Sequence, residues 1–389
     1  TTFYLICSNI KDFKFINEIF GMEKGNQVLI KQAKLMASNP SERTICARLM
    51  NDRFALCLPR EEFDEKRVAD SIKELQREFS GNSFHLHTYM GVYEIRDRDE
   101  AVSIMVDKAN IAADTIKNNY DCCVAYYDEH LLEISIEQRR LLGEFEPALQ
   151  NDEFVMYLQP QVKRDGAAKG AEALVRWVHP SRGILTPYAF IDILENAGLI
   201  YKLDLYIWEK AAQKLAEWKE KGYGSYHISV NISTKDFYII DIYETFTGLI
   251  NKYGIAASNL HLEITETTLM TDFEKNMNII HKLQGVGFRV EIDDFGSGYS
   301  SLNMLKDISA DVLKIDMGFL RKSENEVKGQ DILESIITLA GKIGMDVITE
   351  GVETKKQLDM LTMMGCHEFQ GYYFSKPVPV SEFEEKYLV

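Results

Sequence analysis

The most constraining feature of this chain is the rhythm that begins at residue 152. Phe154–Gln159 and Gly170–Trp177 read as strands around Asp165-Gly166, with no helix between them, and predict an antiparallel hairpin. Strands and helices then alternate. The predicted strands lie near His227–Ser233, Leu260–Glu266, Phe288–Asp293, Val312–Asp316, Asp346–Glu350 and Glu368–Phe374, and helical patterns such as Asp204–Lys221 and Ile332–Ile343 lie between them. Eight strands with crossover helices over 151–389 predict an α/β fold, a (β/α)8 barrel of TIM type with an antiparallel first strand. An open doubly wound sheet is the alternative.

The chain has 389 residues, too many for one average domain, and its first part has a different order. Phe3–Ser8 is strand-like. Asp12–Ala37 is helical with a break near Gly21–Gly25, and Thr44–Leu49 and Phe54–Leu58 flank an Asn51-Asp52 hairpin turn. A helix over Phe63–Phe79, a strand over Phe84–Tyr93, a helix over Ala101–Lys117 and a strand over Cys123–Tyr127 complete an α/β domain over 1–128. Residues 129–150 read as a linking helix, with Leu141, Phe145 and Leu149 on one face, packing against the next domain, coupling the two or forming a dimer contact. The barrel takes 151–389.

Net charge excludes a general nucleic-acid coat: 44 Lys and Arg against 60 Asp and Glu give −16, and phosphate binding needs a positive field. A small anionic substrate stays compatible if bound cations reverse the local sign. No apolar stretch reaches membrane-span length and no signal peptide is visible. The chain opens with Thr-Thr-Phe-Tyr-Leu, without Met, and reads as a piece of a longer cytoplasmic protein. Any tether to an inner membrane would come from an N-terminal region outside it. Cys7, Cys46, Cys57, Cys122, Cys123 and Cys366 form no CxxC pair and read as reduced and buried. His85 and His87 alternate along an apparent strand and read as exposed strand residues.

In such barrels catalytic groups gather where strands exit. The polar residues here fall at or near those ends: Glu172, Asn231, Glu263, Asp293 with Asp294, Lys314, Glu350 and Gln370. So many carboxylates in one pocket need counter-charge. Oxygen ligands without His or Cys select Mg²⁺ or Mn²⁺ over Zn²⁺. Adjacent Asp293 and Asp294 would let one carboxylate bridge two ions about 3.5–4 Å apart, as in phosphodiester hydrolysis. Lys314 could stabilise developing phosphate charge or position water. Asp294-Phe295-Gly296 has neither the glycine-rich loop nor the HRD segment of a kinase, and Gly285-Val286-Gly287 is a turn.

At these residues the chain resembles the EAL family of cyclic di-GMP phosphodiesterases. The shared segments are Glu172-Ala173-Leu174-Val175-Arg176-Trp177, Val230-Asn231-Ile232-Ser233, Glu263-Ile264-Thr265-Glu266, Asp293-Asp294-Phe295-Gly296-Ser297-Gly298, Lys314-Ile315-Asp316, Glu350-Gly351-Val352-Glu353 and Gln370-Gly371-Tyr372. The resemblance implies metal ligation of two Mg²⁺ or Mn²⁺ ions by Glu172, Asn231, Glu263, Asp293 and Asp294. It implies a catalytic Lys314, with Glu350 as ligand or base, and substrate contacts from Gln159, Arg176 and Gln370. Glu266 would hold the Asp294 loop. Leu158 stands where the family has an aromatic, and Gln161 where it has an aliphatic residue.

Residues 2–128 resemble the GGDEF diguanylate cyclases, through Phe13-Lys14, Asn17, Gly21 and Gly25. The signature turn reads Met50-Asn51-Asp52-Arg53-Phe54. Both glycines are gone, Arg53 replaces an acidic residue, Asn9 replaces a metal aspartate and Asn26 a guanine-contacting one. Ser41 and Thr44 occupy the product-inhibition positions. The expectation is a degenerate domain kept for regulation or assembly. The implied activity is hydrolysis of cyclic di-GMP to linear pGpG, with a non-hydrolytic receptor as the competing class. The implied partner is cyclic di-GMP, with no polymeric nucleic acid; a homodimer through the barrel is open as a further partner.

Overall fold

The computed structural model describes residues 1–389 except 12, 38–40, 80–85, 118, 120–121, 296–307, 317, 319–325 and 389. The chain divides into two compact units, Thr1–Arg140 and Leu141–Val389.

The first unit is a five-stranded sheet of β1 (Phe3–Ile10), β2 (Ile45–Arg48), β3 (Phe54–Pro59), β4 (Thr88–Ile95) and β5 (Val124–Tyr126), in the order β2-β3-β1-β4-β5. Side chains alternate across a strand. Tyr4 and Ile6 therefore pack on one face with Val28, Leu29, Ile72 and Leu75, while Leu5 and Cys7 pack on the other with Met105 and Ala109. Helices Met22–Met36 and Glu65–Phe79 supply the first layer and helix Val102–Thr115 the second. A preceding helix, Phe13–Phe20, is separated from Met22–Met36 at Gly21, whose φ of 83° suits a residue without Cβ.

Two expectations change here. His87 is buried, stacked on Tyr89 with its Nε2 3.3 Å from Ile116 O, because helices cover both sheet faces; His85 lies outside the described residues. Cys46 is exposed, because β2 is an edge strand exposed along its whole length.

The second unit closes eight strands into a barrel: β6 (Phe154–Lys163), β7 (Ala168–His179), β9 (His227–Ile232), β10 (Leu260–Thr265), β11 (Val290–Phe295), β12 (Val312–Asp316), β13 (Asp346–Glu350) and β14 (Glu368–Phe369). Two short strands flank it, β8 (Gly183–Leu185) on β7 and β15 (Val378–Pro379) on β6. β6 runs antiparallel to both β7 and β14, and the remaining barrel contacts are parallel. The hairpin turns at Gly166, with φ 84°. The C-terminal part of helix Glu129–Gln150 buries Leu141, Phe145 and Ala148 in the barrel's apolar core. Among the described residues, no helix is long and apolar enough to cross a membrane.

The alternation of each strand divides two environments. Ile228, Val230, Leu260, Leu262, Val290, Ile292, Leu313 and Ile315 join the apolar layer under the helices. The opposite face carries Ser229, His261, Glu263, Glu291 and Lys314, all buried. The barrel axis is thus polar, and the apolar core is a shell around it.

Candidate active site at the barrel mouth

Lys314 is the centre of the site. It sits on the inner face of β12 with no exposed surface. Its Nζ lies 2.8 Å from Glu350 Oε1, 2.9 Å from Glu263 Oε2, 3.1 Å from Asp293 Oδ1 and 3.5 Å from Glu172 Oε2. Four strands thus aim carboxylates at one ammonium, and parallel register is the reason. Glu263 pairs with Asn231 on β9, Thr265 with Asp293 on β11, and Asp316 with Glu350 on β13.

The electrostatics follow from burial. Desolvation works against the Lys314 ammonium, yet Asp293, Glu172, Glu263 and Glu350 together hold it well above the usual lysine range. Burial, then the Glu172 charge, raises the Glu263 carboxyl well above its ordinary value. Burial pushes Glu350 up to about 8, against the opposing pull of Lys314. One lysine does not satisfy this many acids. Glu263 Oε1 is buried without a hydrogen-bond partner, which suits a site that takes cations. The donor set, all oxygen apart from Lys314, fits Mg²⁺ or Mn²⁺.

A second layer fixes the carboxylates. Asn231 Nδ2 donates to Glu172 Oε1 at 3.2 Å, and Gln370 Nε2 donates to Glu172 Oε2. Gln370 Nε2 also lies 3.4 Å from Gln159 Oε1, while Gln159 Nε2 donates to Ser375 O. Gln370 is held by a close approach of two loops: Val352 N donates to Gln370 O at 3.1 Å, and a Cβ on Gly371 would lie 2.2 Å from Val352 O.

Not every expected residue meets this centre. Asp293 turns inward, whereas Asp294 is exposed at a φ of 55°, at an irregularity in the β11–β12 register; it makes no ion pair with Lys314 among the described contacts, yet burial, then the Asp293 charge, raises its carboxyl, so it stands at the edge of the same centre. Arg176 lies over the Tyr157 ring at 5.5 Å and donates to Val175 O. Glu266 opens the short helix after β10, and the loop it was expected to hold, 296–307, lies outside the described residues.

The sequence reading missed an inward set at the opposite rim: Gln161, His227, Ser229, His261 and Glu291. Their signal was the same period-two pattern: Ser229, His261 and Glu291 lie two residues before Asn231, Glu263 and Asp293, His227 lies four before Asn231, and Gln161 lies two after Gln159 on the antiparallel β6.

Comparison with known proteins places this arrangement in a class. The family model described as the EAL domain matches residues 143–377, and that of the diguanylate cyclase GGDEF domain matches 1–121. The chain belongs to the EAL family and carries a GGDEF domain before the barrel. It is similar, at 30% identity over 98% of its length and 56% of the relative's, to the bifunctional diguanylate cyclase/cyclic di-GMP phosphodiesterase MucR of Pseudomonas aeruginosa. It is 28% identical, over 97% of its length and 49% of the relative's, to the cyclic di-GMP phosphodiesterase NbdA of the same organism. Among solved structures, that of the PaMucR phosphodiesterase in complex with c-di-GMP matches with a TM-score of 0.60 and 33% identity, covering 63% of this chain and 99% of that one. The chain spans about half the length of the curated relatives it matches.

Proposed function

We propose that this chain hydrolyses one phosphodiester of cyclic di-GMP and releases linear pGpG. The observation that supports this most is the Lys314 ammonium inside the ring of Glu172, Glu263, Asp293 and Glu350, on a barrel of the EAL family. Two Mg²⁺ or Mn²⁺ ions, held by Glu172, Asn231, Glu263, Asp293 and Asp294, would supply the Lewis acidity that activates water and neutralises the phosphate. Lys314 keeps a full positive charge at the reacting phosphate and stabilises the charge that develops as the bond to the 3′ oxygen breaks. Glu350, with its raised pKa, is suited to exchange a proton with water near neutral pH. Gln159, Arg176 and Gln370 hold and orient the substrate, and Glu266 steadies the loop after Asp294.

The GGDEF-like domain, taken as 1–128, is read as regulatory. Its turn keeps Asp52 as a structural group that accepts from Ile10 N at 3.1 Å, and Asn9 donates to Tyr89 OH at 3.0 Å. Helix 129–150 is the connector and 151–389 the working domain, cytoplasmic and paired with a second copy through the barrel.

The test is incubation of the chain with cyclic di-GMP and Mn²⁺, followed by chromatography. Appearance of pGpG, abolished by chelator and by Glu172→Ala, is the expected result. Tight binding without pGpG would assign the receptor class instead.

A further inference from the structure

The rim of the barrel opposite Lys314 holds a second polar cluster of different chemistry. His227 opens β9, His261 is the second residue of β10 and Glu291 the second of β11. All three are buried, and one donor atom from each lies within 4.8 Å of the others. A tetrahedral ion with bonds of about 2.0 Å holds its ligand atoms roughly 3.3 Å apart, so small side-chain rotations close the difference.

The hydrogen bonds point the same way. His261 Nε2 faces the Ser258 carbonyl at 3.2 Å, a contact that requires the nitrogen to donate. Its Nδ1 lies 2.6 Å from Glu291 Oε1. At that distance the two atoms share a proton, and a metal ion bound to both would displace it. A backbone carbonyl on the far nitrogen is also the usual outer partner of a ligating histidine. Glu291 Oε2 and Gln161 Nε2 are buried without hydrogen-bond partners. Gln161 Oε1 is 2.7 Å from His227 Nε2, and Ser229 Oγ donates to Glu291 Oε1 at 3.1 Å.

Access and room are present. His227, His261 and Glu291 line a cavity of about 490 Å³ together with Lys169, Arg289 and Glu368. The two imidazoles are stacked, with centroids 3.8 Å apart and planes 4° apart. A metal lies in the plane of each ring it binds, so one ring must rotate. The His227 ring lies directly against Gly170, where a Cβ would come within 2.5 Å of it, so only glycine admits the ring at this place.

We propose that His227, His261 and Glu291 bind one divalent transition-metal ion of the Zn²⁺ class, at a site separate from the phosphodiester centre. Two imidazoles and one carboxylate select Zn²⁺, Co²⁺ or Ni²⁺ over Mg²⁺. The cavity leaves a further coordination position to solvent or to Gln161. The proposal is independent of the activity assigned to the mouth.

The test uses the untagged chain in saturating Mg²⁺, which occupies oxygen-ligand sites, titrated with Co²⁺. Nitrogen-ligated, low-coordinate Co²⁺ absorbs strongly in the visible, whereas six-coordinate oxygen-ligated Co²⁺ is nearly colourless. The expected result is one equivalent of the strong absorption, bleached by Zn²⁺, retained in Glu172→Ala and lost in His227→Ala and His261→Ala. Glu291→Gln, a near-isosteric change that guards against misfolding of the histidine variants, is expected to weaken and shift the band. No strong band in the wild-type chain would overturn the proposal and leave His261 and Glu291 as a proton-linked pair. An unchanged band in the histidine variants would overturn it equally.

Discussion

At the residue scale, Lys314 carries two jobs that separate experimentally. It is the only cation within 4 Å of Glu263 and Asp293 among the described residues. Lys314→Ala leaves buried acids uncompensated, and breaking such a pair costs about 3–5 kcal/mol. The variant is expected to melt lower without metal, to recover much of the loss in Mn²⁺, and to lose on the order of 10²–10³ in single-turnover rate. Its affinity for cyclic di-GMP is expected to persist, because the interaction strengthens in the transition state. Near-normal turnover would remove Lys314 from the chemistry. A second residue-scale case lies beside the mouth, where Asp204 faces Asp236. Burial, then the Asp236 carboxylate, raises Asp204 well above its ordinary value. A carboxyl raised on folding contributes stability that is fully present below its unfolded pKa, about 4, and lost as pH rises through the folded value. Asp204→Asn is therefore expected to stabilise the chain at pH 8 relative to its effect at pH 5. Denaturant melts at both pH values check this, and equal effects would sink it.

At the element scale, Gly371 is where backbone geometry becomes function. Any Cβ there meets the Val352 backbone, so Gly371→Ala must push the strand-end loop away and carry Gln370 off Glu172. Overpacking against backbone costs about 1–3 kcal/mol. The expected outcome is a fall in kcat/KM together with a lower melting temperature, with wild-type values for both counting against the account. Strands β12 and β13 coincide with their predicted ranges, each a short run rich in apolar residues that ends on a carboxylate, Asp316 or Glu350. β14 was read to Phe374 but ends at Phe369, since pairing gives way there to a turn in which Phe374 N donates to Gly371 O. The β8 and β15 edge strands are too short to show a period. The mouth residues were legible through their alternation and their strand-end positions. Partnerships such as Gln370 with Glu172 were not, since 198 positions separate the two in sequence. The far-rim cluster was not legible, because its members come from four different strands and only the closed barrel brings them together.

At the scale of the whole molecule, the structural division falls inside a helix, at Arg140/Leu141, rather than in a loop. Leu141, Phe145 and Ala148 belong to the barrel core, so a fragment 151–389 loses three buried side chains that 129–389 keeps. The shorter fragment is expected to unfold several kcal/mol more easily, since truncating a core leucine or phenylalanine alone costs about 2–5. Equal melting temperatures for the two fragments would refute this. The whole chain is also expected to make no cyclic di-GMP from GTP when Glu172→Ala blocks breakdown. The expectation rests on the resemblance, which implies metal ligands at the positions of Arg53 and Asn9, and detected synthesis would contradict it.

The polar barrel axis has a consequence for how the chain reaches its native state. An apolar shell can collapse early, because hydrophobic association needs no fine alignment. Lysine, glutamates and histidines on the axis gain from burial only when each finds its partner, so water should leave the interior last. Refolding is then expected to show a fast phase set by the shell and a slow one set by desolvation of the axis. Divalent ions should accelerate only the second. Stopped-flow fluorescence with and without Mn²⁺ would resolve the two, and a single metal-independent phase would show that shell and axis form together.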